Sequence, residues 1–265
     1  MSNRLRAAVR ILCLLLLLPL LFGCEQVPDD GEVYEPVEVP TVVFSEKTVT
    51  EKDGEIVLYR GAINLPVLLL PTGQEQLQEQ ANEMIQAYAV NLIACPFDLE
   101  ALKNKAQNNP SAFTAYEQTV LVQTAWVDAG QVSLLFSIEI RGGGFSSIYL
   151  TRGFTLTIPA LTRDRLFSHL GISEAEGRAL YAAAFAEDMR LHPQYYDNPS
   201  APILDSTIDQ SCFCLTENGV MIWMPEDTVS IGASPLLSLT EADFVRLIGT
   251  GRAEHLRPSE QDALQ

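Results

Sequence analysis

The chain has 265 residues, with 34 Asp and Glu against 17 Lys and Arg, a formal net charge of −17. Hydrophobic residues make up 47% and charged residues 19%, and the mean hydropathy is +0.11; this excludes a disordered chain and supplies one large core or two small ones. The acidic balance excludes nucleic acid as a partner, because phosphates would be repelled rather than neutralised.

Arg4, Arg6 and Arg10 precede an apolar run from Ile11 to Phe22. A spanning helix needs roughly 20 apolar residues, so this run is too short for a comfortable anchor and reads as an export signal over residues 1–23. Leu21-Phe22-Gly23-Cys24 resembles the bacterial lipobox. That resemblance implies cleavage before Cys24, lipid attachment on it, and a place at the extracytoplasmic face of the cell membrane, held by the anchor. An ordinary secretory signal with a chance cysteine is the other reading. Cleavage would leave 14 basic residues against the same 34 acids, a charge of −20. Such acidity attracts basic partners or simply keeps the protein soluble. Residues 24–40 carry Pro28, Pro36 and Pro40 among six acids, which predicts an extended tether.

The main domain is expected over residues 41–250, with sub-modules of about 41–140 and 141–250, then a polar tail over 251–265. Thr41–Phe44 and Glu55–Tyr59 flank Lys52-Asp53-Gly54, a hairpin signal, and Leu65–Leu70 is a further apolar run. Thr72-Gly73-Gln74-Glu75 has the capping-box pattern. Leu77, Ala81, Met84, Ile85, Tyr88 and Leu92 follow it at helical spacing, and the helix ends before Pro96. A short helix is expected around Leu99–Ala106.

Strands are predicted over Thr119–Val127 and Val132–Ile140, around the turn Asp128-Ala129-Gly130, and over Ser146–Ile158 after a break at Gly142-Gly143-Gly144. That break reads as a turn or bulge, with an anion cradle as the other reading. Thr162–Leu170 is a predicted short helix. Ser173-Glu174-Ala175-Glu176 opens a helix to about Leu191, whose packing face is assigned to Ala175, Ala179, Leu180, Ala183 and Ala184.

Residues 192–211 form a long loop containing Pro193, Pro199 and Pro202, functional or a surface insertion. Asn218-Gly219 predicts a hairpin in which Glu217 pairs with Val220, placing Phe213, Leu215, Ile222 and Met224 on the core face. Thr228–Ile231 and Leu236–Leu239 are short strands, and Thr240-Glu241-Ala242-Asp243 caps a last helix through Ile248.

Little here signals chemistry. His169, His192 and His255 stand in no metal or catalytic spacing, and no catalytic residue, metal or cofactor is expected. Asp188 and His192, four apart, read as a surface pair at a helix end or as an oriented base. Of the five cysteines, Cys13 leaves with the signal and Cys24 carries lipid. Cys212 and Cys214 would lie on one strand face about 6–7 Å apart, too far for an undistorted bridge. Cys95 bonded to one of them, or three free thiols, both fit. Arg141, Arg152, Arg163 and Arg165 read as solvated charges. Tyr195 and Tyr196 either stack on sugars or pack the loop against the body. Trp126 and Trp223 belong to strands and read as core.

Phe213 to Trp223, Ile231-Gly232-Ala233 and Leu237 to Phe244 resemble the exported domain of RsiV-type anti-sigma factors and PdaC-type peptidoglycan deacetylases. Gly142-Gly143-Gly144 and Leu161 to Phe167 are similar to that family's Gly-rich turn and short helix. The sequence departs from the family at Glu226-Asp227, where an aromatic is usual. The resemblance implies an α+β fold, an antiparallel β-sheet with helices packed on one face, in two sub-modules. It also implies a binding or sensing role outside the cytoplasm. The segment before the apolar run is too short to hold a sigma factor, and no deacetylase ligand spacing occurs. The expected function is therefore a lipid-anchored binding module without catalysis, engaging a cell-wall glycan or a basic extracellular protein. An accessory of a wall hydrolase or deacetylase is the alternative.

Overall fold

The computed structural model describes residues 37–158, 160–196, 209–225, 236–240, 242, 243 and 246. The signal segment and the tether up to residue 36, the strand expected at Thr228–Ile231, most of the helix expected through Ile248, most of the 192–211 loop and the polar tail lie outside the described residues.

Strands β1 (Thr41–Asp53) and β2 (Ile56–Leu69) form one continuous antiparallel ladder, from Thr41 opposite Leu69 to Asp53 opposite Ile56. The apolar run at Leu65–Leu70, expected as a separate element, is thus the second half of β2 apart from its last residue. Two helices, α1 (Glu75–Asn91) and α2 (Leu99–Asn108), carry the chain across to β3 (Tyr116–Val127). Because the connection crosses over, β3 pairs parallel to β2, over Tyr59–Ile63, in an otherwise antiparallel sheet. β4 (Gln131–Gly142), β5 (Phe145–Thr157) and β6 (Thr162–Arg163) complete six strands in sequence order. Gly142, Gly143 and Gly144 all have positive φ and close the β4–β5 hairpin beside a bulge, so they serve as the turn.

The apolar face of α1 matches its periodicity: Ala81, Ile85 and Ala89 are buried against Ile63, Val120, Leu134, Phe136 and Phe154. Its predicted capping box does not form. The helix starts after Gln74, which makes no side-chain cap bond, while Glu75 Oε1 accepts from the Gly73 amide at 2.8 Å. Gly73 at φ 94° bends the chain inside the four-residue pattern, so Thr72 lies outside the first turn.

The second sheet has the order β7 (Phe213–Thr216), β8 (Gly219–Trp223), β9 (Leu236–Thr240), all antiparallel. Phe213 faces Ile222 and Thr216 faces Gly219, so the tight turn is Glu217-Asn218, not Asn218-Gly219. The pairing therefore differs by two residues from the expected register. A shift of two preserves facing, so Phe213, Leu215, Ile222 and Met224 still share one core. Gly219 is drawn into the ladder at φ 151° by the close passage of the Leu239 carbonyl, which leaves no space for a side chain. At the end of β9, Thr240 and Asp243 hydrogen-bond reciprocally, Thr240 N to Oδ2 at 2.9 Å and Asp243 N to Oγ1 at 3.4 Å.

Helices α3 (Leu166–His169) and α4 (Glu174–Leu191) cover this sheet. The expected helix from Thr162 begins later, because Thr162 and Arg163 pair with Thr157 and Leu156 as β6. The Ser173–Glu176 capping box forms as read from the sequence. The buried face of α4 is not the small-residue stripe: Ala175, Ala179 and Ala183 are exposed. Leu180, Tyr181, Ala184 and Phe185 go inward against Phe213, Leu215, Val220 and Ile222, since the aromatic rings gain more from burial than methyl groups do.

Alternation along β4 sets the layering. Leu134 and Phe136 point toward α1, whereas Leu135 packs with Cys212, Cys214 and Trp223. Ser133, on the Leu135 side, accepts from the Leu215 amide at 2.8 Å and shares a hydrogen bond with Thr155 at 2.7 Å. The large sheet thus has α1 on one face and the small sheet on the other, and each sheet carries helices on one face. The fold is α+β with two sheets.

Candidate functional site

β6 is two residues long, so β5 is paired on that side only at Leu156 and Thr157. The Asp164 amide takes the next carbonyl, Thr155 O, at 3.1 Å. Gly153 O then receives the Tyr88 hydroxyl at 3.0 Å and Arg163 Nη2 at 3.4 Å. Gly153 has no side chain, and a Cβ there would collide with the Phe213 carbonyl and the Trp223 ring. The second sheet therefore comes directly against this strand. Between them opens a cavity of about 450 Å³, lined chiefly by Tyr88, Arg152, Arg163, Asp209, Ser211 and Trp223. That volume suits a small molecule or one unit of a larger one.

Arg163 is positioned by aromatic faces. Its guanidinium carbon lies 4.8 Å from the Tyr88 ring centre and 4.5 Å from that of Phe154, a cation–π arrangement that fixes a flexible side chain. Tyr88 is itself held by Phe136 and Phe154, with ring centres at 5.8 and 5.1 Å. Burial pushes the Tyr88 hydroxyl above its ordinary pKa, with Arg163 and Arg152 pulling the other way. Among the described residues no carboxylate forms an ion pair with Arg163. Arg152 donates from Nη1 to Thr151 O at 2.8 Å. Asp209 is turned onto its own loop, where Oδ1 accepts from Ser211 N at 2.8 Å and Ser211 Oγ at 2.7 Å. Two guanidinium groups beside aromatic rings make a site that can receive an anionic group attached to an apolar body.

Cys24 lies outside the described residues. The two loop tyrosines part company: Tyr195 is 68% exposed, whereas Tyr196 is 6% exposed and donates its hydroxyl to Asp188 Oδ2. The Tyr196 ring face is consequently closed to a sugar. Asp188 Oδ1 also shares a hydrogen bond with His192 Nδ1 at 2.8 Å, so the Asp188–His192 pair closes the end of α4 together with Tyr196. His169 sits between Asp164 at 3.2 Å and Gln131 at 3.3 Å, and neither it nor His192 lines the cavity. Among the described residues no disulfide joins Cys95, Cys212 or Cys214. Cys95 belongs to the cluster around Tyr59 and Tyr116, and the other two to the contact between the sheets. Burial pushes the Cys214 thiol up to about 12. Trp223 is buried, as its strand position indicates. Among the described residues no three His, Cys, Asp or Glu side chains gather in a metal-binding group, and no helix is long and apolar enough to cross a membrane.

Arg141, Arg163 and Arg165 are exposed, as the reading of solvated charges expects, and Arg141 pairs with Glu139 at 2.7 Å; the structure adds that Arg163 and the half-buried Arg152 line the cavity. Nothing local distinguishes Arg163 from Arg165 in the sequence. Its partners Tyr88 and Phe154 come from other elements, and only the arrest of β6 after two residues brings them together.

No protein-family model and no curated protein matches the sequence. Solved structures do. A DUF3298 family member from Bacteroides fragilis superposes with a TM-score of 0.51 at 14% identity, covering 80% of this chain and 97% of its own. The chain shares its fold with that DUF3298 family member. A DUF3298 family protein from Pseudomonas aeruginosa superposes at a TM-score of 0.48, also at 14% identity, over 83% of this chain and 97% of its own.

Proposed function

We propose that the protein is a lipid-anchored, extracytoplasmic binding module of the RsiV and PdaC type, without catalytic activity, that engages a component of the cell wall. The observation that carries this reading is the cavity at Gly153, where Arg163 is held over Tyr88 and Phe154 with no carboxylate ion pair among the described residues. A guanidinium group oriented by rings beside a cavity is pre-organised to receive an anionic group. The lipobox-like Leu21–Cys24 supports the anchor. A second reading, capture of a basic extracellular protein, draws on the net charge of −17 rather than on the cavity. The accessory role beside a wall hydrolase or deacetylase is compatible with either.

Two measurements test the proposal. Labelled palmitate is expected to enter the chain and to be lost with Cys24→Ser; unchanged labelling removes the anchor. The acylated protein is expected to stay on purified peptidoglycan as salt is raised. Retention only at low salt, shared with a lysozyme column, favours the basic-protein reading, and no retention on peptidoglycan rejects the wall reading.

A further inference from the structure

From this cavity we infer the chemical class of its ligand: a carboxylate-bearing unit, bound through its carboxylate to Arg163, with hydroxyl or ammonium donors turned toward Asp209. The inference rests on the binding reading of the same cavity and is independent of the membrane anchor.

Arg163, an exposed residue, offers a planar fork of donors: Nη2 reaches Gly153 O at 3.4 Å and the guanidinium also bonds the Tyr88 hydroxyl, which leaves part of the fork for a ligand. A carboxylate accepts such a fork in two parallel hydrogen bonds. The ring contacts at 4.8 and 4.5 Å orient the guanidinium before any ligand arrives, so little side-chain freedom is lost on binding. Arg152 lines the same cavity and adds positive charge. Asp209 also lines the cavity, so two guanidinium groups face one carboxylate, a balance that a singly charged carboxylate ligand neutralises. Asp209 Oδ1 is occupied by Ser211, which among the described residues leaves the other oxygen as an acceptor for a ligand donor. Tyr88, half-buried at the cavity, supplies aromatic surface for the apolar side of a sugar ring or a short aliphatic group.

Two sources carry this chemistry in a wall: a sugar bearing an acidic ether, and the free end of a short peptide. Calorimetric titration of the acylated full-length protein in detergent separates them, with N-acetylmuramic acid and acetyl-D-alanyl-D-alanine as probes. N-acetylglucosamine and the peptide amide lack the carboxylate and serve as their controls. At least one acid is expected to bind, at least tenfold more tightly than its neutral counterpart, and the one that does names the source. Arg163→Gln is expected to weaken that binding at least tenfold. Arg163→Lys keeps the charge and loses the fork; it is expected to weaken binding severalfold with the melting temperature unchanged, which keeps the test valid if the glutamine variant does not fold. Equal binding of acid and neutral control, unaltered binding in both variants, or no saturation by either acid near 10 mM, about 3 kcal/mol of binding free energy, overturns the inference. Retention on intact peptidoglycan together with such a failure leaves the binding reading standing and removes only the carboxylate.

Discussion

β2 and β5 each run on past the strand that pairs with them, and the two free edges are treated differently. Beyond Ile63, β2 has no β3 beside it. Asn82 from α1 replaces the missing strand, accepting from Leu68 N at 2.7 Å and donating to Leu68 O at 2.8 Å, and Gln78 accepts from Leu70 N at 2.6 Å. Pro66, in phase with Leu68 and Leu70, has no N–H to satisfy on that side. This edge is sealed by side chains with matched donors and acceptors. Beyond Leu156, β5 has no β6 beside it. There Gly153 O meets a tyrosine hydroxyl and an arginine whose donors exceed what the strand can accept, and a cavity remains. A sealed edge is a solution to burial of the backbone. An edge furnished with surplus donors and open volume is a place for something else to pair.

The sharpest way to break this comparison is to fill the open edge. Gly153→Val would drive a branched side chain into Trp223 and the Phe213 carbonyl; it is expected to cost about 3 kcal/mol, read as a lower urea midpoint with loss of the near-ultraviolet tryptophan signal. A midpoint within experimental error of the parent would mean that the sheets do not meet there. Next comes opening of the sealed edge. Asn82→Ala strips both partners from Leu68 and is expected to cost about 2 kcal/mol, with faster hydrogen exchange at the Leu68 amide. Tyr88→Phe removes one donor from Gly153 O but leaves Arg163 and the open cavity; about 0.5 kcal/mol is expected. If it costs as much as Asn82→Ala, the two edges are equivalent and the contrast fails.

A separate effect concerns pH at the contact between the sheets. Burial raises Cys214 from its ordinary 9.0 to about 12. Between those values the unfolded chain releases this proton and the folded one keeps it. Stability therefore falls as pH rises above about 9 and levels off near the folded value. Tyr59, Tyr181 and Tyr196, all pushed upward chiefly by burial, add to the decline from their ordinary 10.0. Cys214→Ala should flatten the first part of the curve, between pH 9 and 10, in urea titrations; an unchanged slope would place the thiol in water.

Much of the fold was legible because it is local. The face of α1 follows from period, the cap of α4 from Ser173 and Glu176, and the β4–β5 turn from three consecutive glycines. Errors arose where two patterns competed. Ala175, Ala179 and Ala183 formed a plausible stripe, yet Tyr181 and Phe185 on the adjoining face had more area to bury. Asn218-Gly219 is a strong turn signal, yet Gly219 was needed inside the ladder, under the Leu239 carbonyl, and the turn moved back by one residue. Tyr196 was grouped with Tyr195 by adjacency, although successive residues leave a helix end in different directions.

The sequence by itself determined the acidic charge, the alternation and periodicity that make an α+β chain, and the basic-then-apolar pattern of Arg4–Cys24, since each depends only on neighbours along the chain. Tertiary structure alone decided the parallel pairing of β2 with β3, the stacking of the small sheet on Leu135 and Ser133, and the cavity at Gly153. Those contacts join α1, the β5–β6 pair and β8, which are separated from one another by tens of residues, and their closeness is set by side-chain volume and unpaired backbone groups that no single segment reveals.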